Sequence, residues 1–167
     1  MKLLLSLFAL FAFANAYEAD LTPKEAYAMQ KEGKAIIVDV RTTLEFLYTG
    51  HGEGFVNIPA YEWTYIPKSI ETRVQSADYE LKNAKVKDHK STMKLYDPKE
   101  VINQNFVSEV MKAMKLQGVT HVILVCRSGP RSSAAAEILS KEGITAYNME
   151  DGFINGWTKE NLPWGGQ

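Results

Sequence analysis

The feature that most constrains this chain is a short apolar run that ends in its only cysteine. The stretch reads His121-Val-Ile-Leu-Val-Cys126-Arg-Ser-Gly-Pro-Arg131-Ser-Ser133, and it predicts a buried strand, a tight loop and a helix. Glycine and proline force the turn, and residues 134–141 have helical spacing. The pattern therefore places a thiol at the end of a strand, in a loop that leads into the N-terminus of a helix.

Such a loop favours the thiolate form of the cysteine. Backbone N–H groups converge where a turn meets a helix N-terminus, and Arg127 and Arg131 add positive charge beside Cys126. An inert, buried cysteine is the alternative, but Cys126 follows the strand and adjoins charged residues rather than lying within the apolar run. We therefore predict a nucleophilic Cys126 in an active-site loop formed by Arg127, Ser128, Gly129, Pro130, Arg131 and Ser132.

This loop resembles the active-site loop of the rhodaneses, enzymes that carry a sulfane sulfur on one cysteine as a persulfide. Further motifs resemble family landmarks in the expected order, over about residues 20 to 165: Asp39-Val-Arg41, Glu45-Phe46, Gly50-His51, Asn57-Ile-Pro59, Asp151-Gly152-Phe153 and Leu162-Pro163-Trp164. The chain departs from the family pattern in two places. Gly52-Glu-Gly54-Phe55 follows the Gly-His pair, and the connection between Pro59 and Val122 is longer than usual.

The resemblance implies a sulfurtransferase. Cys126 would take a sulfane sulfur from a small anionic donor such as thiosulfate or a polysulfide, and would pass it to cyanide or to a thiol, free or on a protein. The loop amides would stabilise the persulfide anion, so the chemistry needs no cofactor. Asp39 and Arg41 would support the framework beside the loop. No metal site is expected, because the spacing of the three histidines is not that of metal ligands: His51, His89 and His121.

Two other functions suit the same loop. A binding module would recognise a partner without turnover, although such a module needs no thiol. A cysteine phosphatase or an arsenate reductase would also use a thiolate, but in phosphatases the loop arginine comes one residue later and clamps a tetrahedral phosphate in a wider loop. Arg131 follows Cys126 by five positions, and this shorter loop favours sulfur chemistry over phosphate chemistry.

Alternating strands and helices predict one α/β domain, a doubly wound parallel sheet with helices on both faces, and the resemblance implies that this fold is rhodanese-like. Thr22-Pro-Lys-Glu25 and Thr42-Thr-Leu-Glu45 are capping boxes that begin two helices. Strands are predicted at 35–40, 54–58, 122–125 and 144–148, and a further helix at 106–116. Residues 61–101 are interpreted as a polar insertion. The three tryptophans are expected in core or closing contacts, and five lysines of the insertion on a solvated face: Lys82, Lys85, Lys87, Lys90 and Lys94.

The first 16 residues have the pattern of a signal peptide. Lys2 precedes an apolar run at 3–13, and Ala14-Asn-Ala16 is a typical cleavage site. Cleavage after Ala16 would leave a periplasmic or secreted domain of residues 17–167 without a membrane span. Removal of Lys2 from the 19 basic residues leaves 18 against 20 acidic ones, so no nucleic-acid surface is expected. The single cysteine excludes an internal disulfide.

Overall fold

The computed structural model describes residues 17–75 and 95–166, and it confirms the predicted α/β domain. Five parallel strands form the main sheet. Their order across the sheet is β1 (Ala19–Leu21), β8 (Thr145–Met149), β7 (His121–Val125), β2 (Ala35–Asp39) and β4 (Val56–Asn57). The helices are α1 (Pro23–Lys31), α2 (Thr43–Thr49), α3 (Ile70–Val74), α4 (Phe106–Gln117) and α5 (Pro130–Lys141).

Helices cover both faces of this sheet, as predicted. Successive side chains of β2 and β7 point to opposite faces, and both sets are apolar. Ile36 and Leu124 lie in a core cluster with residues of α4 and α5, whereas Ile37 and Ile123 lie in the opposite cluster with residues of α1 and the C-terminal segment. In the parallel register Asp39 is opposite Val125, so the carboxyl ends of β2 and β7 lie side by side.

Both predicted capping boxes are present. Thr22 and Glu25 cap α1, Thr42 and Glu45 cap α2, and α2 ends at Gly50. The elements that were not predicted include the three-residue edge strand β1 and a π-helix at Gly152–Gly156, which a 3-10 turn at Trp157–Lys159 continues.

Residues of the predicted insertion form an antiparallel ribbon of two strands. β5 (Tyr61–Pro67) pairs with β6 (Tyr96–Ile102) over seven residues. The prediction that Trp63 makes a core or closing contact is wrong, because this side chain lies on the ribbon and is 38% exposed. Trp157, by contrast, is fully buried. A shorter ribbon joins β3 (His51–Gly52) to β9 (Trp164–Gly165).

Two segments named in the sequence analysis fall outside the described residues. They are the predicted signal peptide at 1–16 and residues 76–94, which contain His89 and all five lysines of the insertion. Within the two described ranges, no helix has the length and apolar character that a membrane crossing requires.

Candidate active site

Cys126 directly follows β7 and is 1% exposed, so its thiol lies in the interior at the start of the predicted loop. The backbone N–H of Gly129 donates a hydrogen bond to Sγ at 3.2 Å. The hydroxyl of Ser132 has one proton and two acceptors within reach, Sγ at 3.4 Å and the carbonyl oxygen of Gly129 at 2.8 Å. α5 begins at Pro130, so its first turn lies at the thiol. Strand, loop and helix together surround one sulfur atom with N–H and O–H donors.

These donors decide the ionisation of the thiol. Burial raises the pKa of Cys126, but the hydroxyl of Ser132 and the backbone N–H groups of Ser128, Ser132 and Gly129 outweigh this effect and hold the pKa below its ordinary value. A buried thiol without such donors would have a raised pKa and little reactivity. Cys126 therefore has a larger thiolate fraction at neutral pH than an ordinary cysteine.

The π-helix orients the loop through two backbone hydrogen bonds. The N–H of Phe153 donates to the carbonyl of Cys126 at 2.8 Å, and the N–H of Ile154 donates to the carbonyl of Arg127 at 3.1 Å. The C=O and N–H of a trans peptide point in opposite directions. The bond to Arg127 therefore turns the next N–H, that of Ser128, to the side where the thiolate accepts it.

Gly152 is the residue that permits this close packing. A Cβ at this position would lie 2.5 Å from the backbone N of Ser128 and 2.6 Å from the carbonyl oxygen of Cys126, and its φ of +61° is left-handed. In the sequence Asp151-Gly152-Phe153 stood out only through the family resemblance. The structure explains the glycine of this motif, because any side chain at position 152 would displace the active-site loop.

Arg131 points to Glu45. Its two terminal nitrogens each lie 2.7 Å from a carboxylate oxygen of Glu45, a bidentate pair that joins the loop to α2. Burial raises the pKa of Glu45, but Arg131 and the bonds from Thr42 outweigh it, and the pKa lies below its usual value. Arg131 therefore pairs with Glu45 and holds the first turn of α5 to α2, and its expected role beside the thiolate stays a prediction. Capping alone had explained Glu45 in the sequence, because its partner lies 86 residues away.

Asp39 and Arg41 form a buried ion pair with an Nη2–Oδ2 distance of 2.6 Å. The guanidinium also donates to the hydroxyl of Thr49 and to the carbonyl of Gly50, both at 2.8 Å. Because every one of these contacts is internal, the pair fastens the end of β2 to the end of α2. The framework role that the resemblance implies for Asp39 and Arg41 requires contacts of this kind, and the role itself stays a prediction.

An open cleft of about 400 Å³ lies beside the loop, between α2 and β5. We call it the loop cleft. Arg127, which is exposed, lines it from the loop, Arg131 lines it from the first turn of α5, and Leu44 and Glu45 line it from α2. Three aromatic side chains of β5, those of Tyr61, Trp63 and Tyr65, line it in a row, and Glu62 and Thr42 complete the lining. Sequence reasoning assigned no role in the site to these three, although their alternation with polar residues is typical of a strand.

The model of the rhodanese-like domain matches residues 22–160. The chain belongs to the rhodanese-like domain family. Among solved structures, Rv0390 from M. tuberculosis is similar with a TM-score of 0.58 and 25% identity, over 90% of this chain and 99% of that one. A thiosulfate sulfurtransferase from Pseudomonas aeruginosa shares the fold, with a TM-score of 0.52 and 16% identity over 90% of this chain and 20% of that one.

Curated relatives match over a shorter stretch. An uncharacterized protein of Rickettsia prowazekii is 35% identical over 69 residues, which are 38% of this chain and 56% of that protein. A protein of Rickettsia conorii, also uncharacterized, is 32% identical over the same length. The chain thus spans about half the length of the curated relatives that it matches.

The hydrogen bond from Ser132 yields a first prediction. Ser132→Ala removes a donor that favours the thiolate, so the midpoint of Cys126 alkylation should move to higher pH. The measurement is the rate of iodoacetamide labelling against pH. Ser133→Ala is the matched control, because the next hydroxyl along α5 donates to Tyr17 instead and should leave the midpoint unchanged. Equal midpoints in the Ser132 variant and the wild type would contradict the assignment.

Proposed function

We propose that this rhodanese-like protein is a sulfurtransferase that carries a sulfane sulfur on Cys126. The observation that carries the proposal is the set of donors directed at the buried Sγ: the N–H of Gly129, the N–H of Ser128 and the hydroxyl of Ser132. Donors that favour a thiolate also favour a persulfide anion, since both place negative charge on sulfur at the same end of the helix.

Transfer takes place in two displacements. The Cys126 thiolate attacks the outer sulfur of a donor such as thiosulfate, the S–S bond breaks, and sulfite leaves with the bonding electron pair. Cyanide or a thiolate then attacks the terminal sulfur of the persulfide, and the electron pair of the S–S bond returns to Sγ. In each step the total charge of the products equals that of the reactants. Once Cys126 is ionised, neither step requires removal of a proton from it.

The loop arginines have different tasks in this mechanism. Arg127 is exposed at the edge of the loop, where its charge attracts an anionic donor. Arg131 and Glu45 hold the loop against α2. The amides and Ser132 stabilise the sulfur anion, and neither a metal nor an organic cofactor takes part.

The pairing of Arg131 argues against a phosphatase or an arsenate reductase. Such an enzyme needs the loop arginine to clamp two oxygens of a tetrahedral oxyanion. Here both terminal nitrogens of Arg131 already donate to Glu45. A binding module without turnover is disfavoured by the lowered pKa of Cys126, since recognition through the loop requires no ionised thiol.

The deciding experiment is intact mass spectrometry after incubation with thiosulfate or polysulfide. We expect the mass to increase by one sulfur atom, the increase to map to Cys126, and cyanide to reverse it with release of thiocyanate. Phosphate esters and arsenate should give no turnover. A protein that gains no sulfur from either donor would overturn the proposal.

We further propose that sulfur transfer takes place outside the cytoplasm, in the periplasm or as a secreted protein. The support is the signal-peptide pattern that ends at Ala16. N-terminal sequencing of the natively expressed protein should begin at Tyr17. Recovery of an intact Met1 from a cytosolic fraction would overturn this location.

A further inference from the structure

The strand β5 has one paired edge and one free edge. Its inner edge pairs with β6 over seven residues, and among the residues that the structure describes no further strand pairs with either of them. Five of the seven residues of β5 and all seven of β6 are exposed, so the domain covers little of this ribbon. A two-stranded ribbon is at best marginally stable by itself in water. A further strand would therefore stabilise it.

The hydrogen bonds at the two ends of the ribbon show which backbone groups of β5 point outward. The N–H of Lys68 donates to the carbonyl of Leu95 at 2.9 Å, and the N–H of Asn103 donates to the carbonyl of Ala60 at 3.1 Å. Hydrogen-bonded and non-hydrogen-bonded pairs alternate along an antiparallel ladder, so the even-numbered residues of β5 bond to β6. The odd-numbered residues direct their backbone groups to the outer edge, away from β6, and those with an N–H are Tyr61, Trp63 and Tyr65.

Prolines interrupt the outer edge of β6 but leave that of β5 open. Pro98 pairs with Tyr65 and therefore lacks an outward N–H in the middle of β6. Pro67, by contrast, is the last residue of β5 and lies beyond the three outward N–H groups. Proline on an edge strand is a common protection against pairing with another chain. The ribbon is thus protected at β6 and open for pairing at β5.

The open edge is complementary to itself. When a second copy of β5 runs antiparallel about a twofold axis, with Trp63 opposite Trp63 of the second copy, Tyr61 lies opposite Tyr65 of the second copy. Every outward N–H and C=O of these three residues then has a partner, and Pro67 lies beyond the paired stretch. Glu62 lies opposite Thr64 of the second copy, so no like charges meet.

The same register pairs aromatic side chains. Trp63 is 38% exposed and Tyr65 45% exposed. Side chains directly opposite each other on antiparallel strands have Cβ atoms about 5 Å apart, so these rings would contact rings of the second copy. Such contacts between rings stabilise an interface in addition to its hydrogen bonds.

We propose that two copies of this chain associate through the outer edges of β5, antiparallel about a twofold axis at Trp63. The two ribbons form one four-stranded sheet in the order β6, β5, β5, β6. Because Trp63 and Tyr65 line the loop cleft, the second copy lies at the border of that cleft. An interface of one strand edge is small, so the dimer is in reversible equilibrium with the monomer.

The test combines sedimentation with amide hydrogen exchange on the natively expressed protein. A reductant is present, so that a disulfide between two Cys126 thiols does not contribute. We expect a monomer at about 1 μM and an increasing fraction of dimer at about 100 μM or more, as for a small interface. Exchange at the N–H groups of Trp63 and Tyr65 should slow as the dimer forms. Exchange at Glu100, which pairs with Trp63 and has its N–H on the outer edge of β6, should not change.

Tyr65→Pro and Tyr96→Pro form a matched pair of variants. Both remove a tyrosine and an outward N–H from the same ribbon, and neither position bonds to the other strand of the ribbon. Tyr65→Pro should weaken association by about tenfold or more, because each dimer loses two hydrogen bonds and leaves two carbonyls unpaired. Tyr96→Pro changes the edge that Pro98 already interrupts and should associate like the wild type.

Three results would overturn the proposal. The first is a wild-type protein that stays monomeric at every concentration; protection of the outer β5 amides only on addition of another protein would assign the edge to that partner instead. The second is a dimer whose formation leaves exchange at Trp63 and Tyr65 unchanged, which would place the interface elsewhere. The third is a dimer that both proline variants weaken equally. The exchange measurement needs no substitution, so it decides the question even if a variant does not fold.

Discussion

Replacement of Cys126 by serine is expected to abolish sulfur transfer while the domain stays folded. A serine oxygen neither ionises near neutral pH nor holds a sulfane sulfur as a persulfide, and the chain has no second cysteine to take over. The hydroxyl would remain hydrogen-bonded, because Gly129 N–H and Ser132 already lie at Sγ. The free energy of unfolding should therefore change by no more than about 1 to 2 kcal/mol.

The measurement is thiosulfate:cyanide transfer together with thermal unfolding of both proteins. Wild-type protein alkylated at its single thiol serves as the control, since it loses the same nucleophile without a substitution. Transfer by a folded serine variant above background would remove Cys126 from the mechanism. Transfer lost together with the fold would contradict the view that serine fits this position.

The sequence allowed the framework of the site to be predicted because that framework depends on local signals. Capping boxes at Thr22 and Thr42 begin α1 and α2, and apolar runs form β2 and β7. A cysteine that directly follows β7 and precedes a Gly-Pro turn lies at the carboxyl edge of a parallel sheet. Each of these features is set by residues within a few positions, and the structure confirms the elements that they predict.

The features that were missed depend on contacts between distant segments. The Arg131–Glu45 pair and the bonds from Phe153 to the loop join parts of the chain that no local pattern connects. The π-helix is held partly by loop carbonyls, so its own sequence does not specify it. β1 is three residues long and mostly exposed, and it therefore lacks an apolar signal.

The ribbon of β5 and β6 was not predicted for a different reason. Residues 61–65 alternate between aromatic and polar side chains, which is a strand signal, but the pairing strand begins only at Tyr96, 29 positions after β5 ends at Pro67. Because the sequence between these two strands is rich in lysine, residues 61–101 were interpreted as a polar insertion. The sequence therefore did not indicate that the aromatic residues of β5 line a cleft together with Arg127, which the structure shows.

Gly152→Ala is expected to reduce both stability and thiol reactivity, because Gly152 supports the loop from outside the active site. The new Cβ would lie 2.5 Å from Ser128 N and from Arg127 C, two backbone atoms that cannot move without displacing the loop. The left-handed φ and the clash together should lower the free energy of unfolding by about 2 to 5 kcal/mol. Displacing the Ser128 N–H should also move the midpoint of Cys126 alkylation to higher pH.

Gly118→Ala separates the two causes. Gly118 ends α4 with a φ of +68°, close to the +61° of Gly152, but a Cβ there would meet no atom within 4 Å. This control should lose only the backbone contribution, about 1 to 2 kcal/mol, and should keep the wild-type alkylation profile. Thermal unfolding and labelling against pH are measured for both variants well below their unfolding temperatures. If Cys126 in the folded Gly152 variant is alkylated with the same pH midpoint as in Gly118→Ala, the π-helix does not orient the Ser128 amide. The lowered pKa of Cys126 then depends on Ser132 and Gly129 alone.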